Sequence, residues 1–274
     1  MATVAITGAN SGIGLRAAQQ LSTQGHRVLA LCRSVERGRA ALGDSAEVIE
    51  CDTSSLASVE RAAAQVADIG VDALINNAAV FDLGMKQRQL SADGHELVWA
   101  TDHLGAWALT GRLSGALAAT GGRVVFIASK GLLAQPGARI RFDDVGGEGW
   151  YTPTKAYYQA KLAQIMTAMS VAEKAQDRFS VACLRVPAVR LDAAKLAAQP
   201  KLYQWAYAPK NAIAAAPEAV AQSYVRLALG QPIDEVYVDE GLQPVSVPKF
   251  ARDAANRARL WELSTATTGM EWQL

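Results

Sequence analysis

The sequence predicts an α/β fold, a doubly wound parallel sheet of about seven strands with helices on both faces, in a single domain over residues 1–274. Three observations lead there. Short apolar runs alternate with segments of helical periodicity. The runs are continuous rather than polar–apolar alternating, as strands covered on both faces require. A glycine-rich turn joins the first run to the first helical segment.

The elements follow in order. Residues 4–7, 27–32, 46–50, 71–76, 123–128 and 179–186 read as strands, and a late strand is expected at 235–238. Helical patterns occupy 12–23, 35–42, 56–67, 94–117, 154–174 and 217–229. Ser54 and Ser55 offer N-caps for the third helix. This βαβα order implies right-handed crossovers between parallel strands. No linker, repeat or low-complexity tract divides the chain.

Composition narrows the function classes. Half of the residues are hydrophobic, 19% are charged and the net charge is +1. That balance gives no footing for a nucleic-acid or anionic-membrane partner. Cys32, Cys51 and Cys183 lie far apart in apolar segments, with no metal spacing and no disulfide framework. They read as buried free thiols in a reducing cytoplasm. The start, MATVAITGANSGIG, lacks a basic region and breaks at Gly8, so it does not read as a signal peptide. No stretch approaches the roughly 20 apolar residues of a membrane span. A cytoplasmic protein with no metal site is expected; His95 and His103 have no partner at metal-ligand spacing.

The glycine-rich turn, Thr7-Gly8-Ala9-Asn10-Ser11-Gly12-Ile13-Gly14, follows the first strand and opens the first helix. Glycines let the backbone approach a pyrophosphate, and the helix N-terminus adds free N–H groups and a positive dipole end. This is the context of a dinucleotide site in a Rossmann-type sheet, with spacing G-x-x-x-G-x-G. Arg33 follows the second strand. An acidic residue there would accept the ribose hydroxyls of NAD, whereas an Arg suits the 2′-phosphate of NADP. Asp52, ending the third strand, stands where a side chain reaches an adenine amino group. Asn77 and Ala78, after the fourth, lie where small residues let a cofactor approach the backbone.

Tyr157 and Lys161 are four residues apart in a helical segment, which puts them on one face, one turn apart. An ammonium beside a phenol favours the phenolate and draws the Tyr pKa toward neutrality. A Tyr so placed can pass a proton to or from an alcohol or carbonyl oxygen.

Taken together, TGANSGIG at 7–14, CDT at 51–53, NNAA at 76–79, Ser129 and YYQAK at 157–161 resemble the short-chain dehydrogenase/reductase family over nearly the whole chain. LCRSVERG at 31–38, TDHLGAWALT at 101–110, IRFDDV at 140–145 and ARLWELSTATTG at 258–269 are similar to its retinol-dehydrogenase-like branch, which mostly uses NADP(H). The resemblance implies Tyr157 as acid/base, Lys161 as its pKa modifier and nicotinamide-ribose ligand, and Ser129 as hydrogen-bond partner of the substrate oxygen. It further implies cofactor contacts from Gly8, Asn10, Ser11, Gly12, Ile13, Gly14, Arg33, Asp52, Thr53, Asn77, Ala78, Tyr157, Lys161, Pro187 and Val189. Dimers or tetramers are common in the family, and the oligomeric state stays open.

The chain departs from the family at Asp102, where a catalytic Asn is usual. A carboxylate there would stabilise the Lys161 ammonium and oppose a Tyr157 phenolate; a protonated Asp102 would donate a hydrogen bond as Asn does. Both states remain open at this level. Ala79 and Ala188 stand where glycines are usual. The segment 190–216 covers the substrate in this family. Here it carries Leu191, Leu196, Leu202, Tyr203, Trp205, Tyr207 and Ile213, with Trp150 and Tyr151 as further wall candidates. An apolar or aromatic carbonyl or alcohol is the expected substrate. The expected function is therefore an NADP(H)-dependent oxidoreductase. The alternatives are non-redox elimination, isomerisation or cyclisation on this scaffold, or an NADP(H)-binding protein without catalysis.

Overall fold

The computed structural model describes residues 1–190, 214–230, 233–272 and 274. Seven parallel strands, β1 (Thr3–Thr7), β2 (Arg27–Cys32), β3 (Glu47–Glu50), β4 (Ala73–Asn76), β5 (Arg123–Ser129), β6 (Ser180–Val186) and β7 (Tyr237–Asp239), form one sheet in the order β3-β2-β1-β4-β5-β6-β7. Thr7 lies opposite Leu31 on one side, and Ile6 opposite Ile75 on the other. The order reverses direction between β1 and β4, and the crevice there opens at the carboxyl ends of the strands.

Continuous apolar runs make sense because both faces are covered. Val4, Ile6, Val28 and Ala30 belong to one core, and Ala5, Leu29 and Leu31 to the other. Helices α1 (Gly12–Thr23), α2 (Val35–Leu42) and α7 (Pro217–Leu229) bury Ala17, Leu21, Leu42, Val220 and Tyr224 in the first. Helices α3 (Leu56–Ile69), α5 (Gly105–Thr120) and α6 (Pro153–Ala175) bury Val59, Leu109, Leu113, Ile165 and Met166 in the second. Ser34, Ser55 and Thr152 cap α2, α3 and α6 by accepting from the backbone three residues on. The C-terminal helices α8 (Lys249–Arg252) and α9 (Ala254–Thr268), absent from the sequence reading, pack on the second core through Ala251 and Leu260. No helix among the described residues is long and apolar enough to cross a membrane.

One expected helix begins late and changes pitch. The pattern over 94–117 resolves into α4 (Leu97–Trp99), a π-helical turn (Ala100–Leu104) and α5. Gly94 sits at φ 81°, outside the helical region, and the Glu96 carboxylate starts the helix by accepting from the Val98 and Trp99 amides. In the π turn the Asp102 carbonyl accepts from the Gln164 side chain of α6. Such turns often mark functional positions.

The same turn buries His103. Its ring lies 4.3 Å from that of Trp99, and its Nε2 is 2.8 Å from the Ser264 hydroxyl. Ser264 donates its own proton to the Leu260 carbonyl, so His103 donates to it and stays neutral. Burial pushes its pKa down to about 3. The unfolded chain therefore takes up a proton near pH 6.5 that the fold refuses, and stability is lost as pH falls below that value. Urea unfolding between pH 6.5 and 5 should show stability declining with a slope approaching about 1.4 kcal/mol per pH unit, and His103→Gln should flatten it. Identical slopes would contradict this assignment.

Candidate active site

The cradle after β1 is shaped from behind. Gly8 runs at φ 66°, and a Cβ on it would stand 3.1 Å from the Ala78 Cα. A Cβ on Gly14 would stand 2.5 Å from the Asn77 Nδ2 and 2.8 Å from the Gly8 carbonyl oxygen. Asn77 occupies that space: its Nδ2 donates to the Thr7 and Gly8 carbonyls at 2.8 and 3.3 Å. Its Oδ1 accepts from the buried Tyr224 hydroxyl of α7 at 3.0 Å. The Ala78 amide donates to the Thr7 hydroxyl at 2.9 Å. Asn77 and Ala78 therefore brace the turn that Asn10, Ser11 and Ile13 belong to.

Among the described residues, no side chain caps the front of the cradle. Ser11 precedes α1 without capping it, unlike the capping residues of α2, α3 and α6, and the first turn of α1 holds no acidic side chain. Uncapped backbone donors, a positive helix end and missing Cβ atoms fit a pyrophosphate. Arg33 stands exposed just beyond β2, the strand beside β1, with no ion pair among the described residues. Beyond β3, Asp52 accepts from the Ser54 amide and hydroxyl, and the buried Thr53 lies so close to Gly105 that a Cβ there would strike its carbonyl. Pro187 and Val189 follow β6, where Val189 bridges to Ala215.

One strand beyond β4, four chemically active side chains meet. Ser129 ends β5; its oxygen accepts from the Gly131 amide, and its hydroxyl bonds Tyr157. Tyr157 and Lys161 lie one turn apart on α6, with the ammonium 5.5 Å from the Tyr157 ring centre. Asp102, from the π turn, places Oδ2 3.2 Å from the Lys161 Nζ and accepts from the Val80 amide on Oδ1 at 2.7 Å. Asp102 and Lys161 are 1% and 2% exposed. Asp102 Oδ1 accepts from the Val80 amide, while Oδ2 faces the Lys161 ammonium as an ion pair and has no hydrogen-bond partner among the described residues.

Burial raises Asp102 above the ordinary carboxylate value, and Lys161 with the Val80 amide pulls it only part of the way back. Burial alone would lower Lys161, but Asp102 and Tyr157 more than offset it and hold it above the ordinary lysine value. Tyr157 is raised, first by burial, and Lys161 and Ser129 only partly counter that while Asp102 adds to it. Lys161 thus acts on the phenol in the expected direction, but burial and a second charge outweigh it. At an effective dielectric constant of about 20 the pair's attraction is roughly 5 kcal/mol, comparable to the several kcal/mol of desolvation per ion. The pair adds little net stability, yet losing either partner leaves a buried charge alone.

The substrate side is only partly described. Leu191, Leu196, Leu202, Tyr203, Trp205, Tyr207 and Ile213 lie outside the described residues. Trp150 turns away, its indole donating to the Asp144 carbonyl, while the Tyr151 hydroxyl donates to the Met85 carbonyl in the β4–α4 loop. Phe81, in the same loop, lies against Tyr157 with ring centres 4.4 Å apart. Sequence reasoning missed Val80, Phe81 and Tyr224, which stand at no motif spacing.

The family model for short chain dehydrogenases matches residues 2–139. Human retinol dehydrogenase 14 is 29% identical over 98% of this chain and 86% of its own length. Human dehydrogenase/reductase SDR family member 13 is 30% identical over 98% of this chain and 73% of its own. A crystal structure of an uncharacterized protein from Mycobacterium paratuberculosis superposes with a TM-score of 0.79 at 30% identity, covering 100% of this chain and 96% of that one.

Proposed function

The chain belongs to the short-chain dehydrogenase family of oxidoreductases, and on that premise we propose that it is an NADP(H)-dependent enzyme interconverting a carbonyl and an alcohol on an apolar or aromatic small molecule. The observation that carries this reading is the cluster of Ser129, Tyr157 and Lys161 at the carboxyl edge of the sheet, two strands from the glycine cradle. Relatives named for retinol, an apolar alcohol, support the substrate class.

When bound, the nicotinamide cofactor supplies or takes the hydride. The chain's own residues do the rest. The Gly8–Gly14 turn and the α1 N-terminus hold the pyrophosphate, and Arg33 holds the 2′-phosphate. Asp52 and Thr53 serve the adenine end; Pro187, Val189 and Lys161 serve the nicotinamide end. Ser129 hydrogen-bonds the substrate oxygen. Tyr157, a phenol at neutral pH because its pKa is raised, donates its proton to that oxygen in reduction and accepts it in oxidation. Lys161 stabilises the phenolate left behind.

The Asp102–Lys161 pair favours one second reading, non-redox chemistry on this scaffold, because its carboxylate opposes the phenolate. Substrate conversion without NADPH consumption would establish that reading.

Tyr157→Phe should lower carbonyl reduction by about a thousandfold while leaving NADPH binding within about twofold of wild type, read by steady-state rates and fluorescence titration. Undiminished turnover would remove Tyr157 from the chemistry. Arg33→Asp should weaken NADPH binding about tenfold or more and change NADH binding far less, since a charged hydrogen-bonding partner of the 2′-phosphate is lost. Equal losses for both cofactors would show that Arg33 does not contact that phosphate.

A further inference from the structure

Among the described residues, the exposed large hydrophobic side chains other than Met1 are Phe81, Leu83, Leu90 and Leu133. Three lie in the loop that follows β4, and Leu133 lies in the 3-10 turn that follows Ser129 and β5. An exposed apolar side chain beside a reacting cluster is a place where an apolar ligand can bind. Phe81 is the member in direct contact with the reacting cluster. Its ring is half exposed, tilted 39° to that of Tyr157 at 4.4 Å between centres. The residue before it is anchored: the Val80 amide donates to Asp102 Oδ1 while Asp102 Oδ2 faces Lys161. An Asn at 102 could accept from Val80 but would carry no charge to face Lys161. The Val80 bond to Asp102 ties the Phe81 loop to the floor of the site.

We propose that Phe81 is the substrate-recognition residue of this site, offering its exposed ring, beside the Tyr157 hydroxyl, to the flat face of an aryl or conjugated carbonyl compound. The inference rests on the reading of Tyr157 as the acid/base. An aromatic partner packs on such a ring in offset or edge-on geometry, and a small aliphatic ketone gains little from it. A saturated or strongly hydrated carbonyl substrate would leave the apolar edge uncovered. Phe81 thus selects for ring or polyene substrates through binding, and the proton transfer itself stays with Tyr157.

The test is direct binding of 2-acetylnaphthalene and cyclohexanone, measured by saturation-transfer NMR with and without NADP+. Wild type, Phe81→Ala, Phe81→Tyr and Tyr157→Phe are compared. The inference expects Phe81→Ala to bind 2-acetylnaphthalene about five- to tenfold more weakly than wild type. Phe81→Tyr should bind it as wild type does, Tyr157→Phe should keep the preference for it over cyclohexanone, and cyclohexanone should not distinguish Phe81→Ala. In turnover the same loss should fall on KM rather than kcat. Equal binding of 2-acetylnaphthalene by wild type and Phe81→Ala, or none by wild type, would overturn the inference. Binding that depends on Phe81 without any NADPH-dependent reduction would instead count against the oxidoreductase reading, so the two failures are distinguishable.

Discussion

A buried carboxylate–ammonium pair, Asp102 with Lys161, is the constraint on which the rest of the candidate site depends. It joins three parts of the fold that the chain keeps apart. Asp102 comes from the π turn ahead of α5, Lys161 from the third turn of α6, and Val80, on the other carboxylate oxygen, from the loop after β4. Both ions are almost wholly buried, so their mutual attraction does the work of a hydration shell and little more. What the arrangement secures is geometry and charge. The ammonium is held under the Tyr157 ring, and the loop bearing Phe81 is held over it.

The consequence falls on the phenol. In an exposed helix, a lysine one turn from a tyrosine would ease its ionisation. Here burial dominates, the Asp102 carboxylate cancels part of the lysine's effect, and Ser129 recovers a little by hydrogen bonding. The net result is a tyrosine that holds its proton at neutral pH. That state suits a donor to a carbonyl oxygen better than an acceptor from an alcohol. The cradle is independent of this. Its shape comes from Asn77 filling the space that Cβ atoms on Gly8 and Gly14 would need, with Tyr224 orienting the Asn77 amide.

Most of the sheet was legible from the amino-acid order because two-sided burial leaves a mark on every strand. The run Val4 to Thr7 has no polar face to show, and its neighbours feed one core or the other residue by residue. Caps were legible where Ser or Thr precedes a helical run, as at Ser55. The late helix start at Leu97 was not, because a side chain of Glu96 folding back on its own amides competes with an otherwise unbroken helical pattern. The YxxxK pair, the glycine turn and Ser129 could be placed by spacing and by family resemblance. Phe81 and Tyr224 could not, since each matters through one contact with a residue distant in sequence. The charge state of Asp102 was likewise open, because it depends on which donors the fold brings to its two oxygens. The packing supplies them from Val80 and Lys161.

The most direct measurement of this account is the ionisation of Tyr157 itself, read as the ultraviolet difference between wild type and Tyr157→Phe across alkaline pH and repeated in Asp102→Asn. The account predicts that Tyr157 ionises above the ordinary tyrosine value of 10.0 in the wild-type protein and at lower pH once the carboxylate is gone. Ionisation below that value in wild type, or no downward shift in Asp102→Asn, would contradict it.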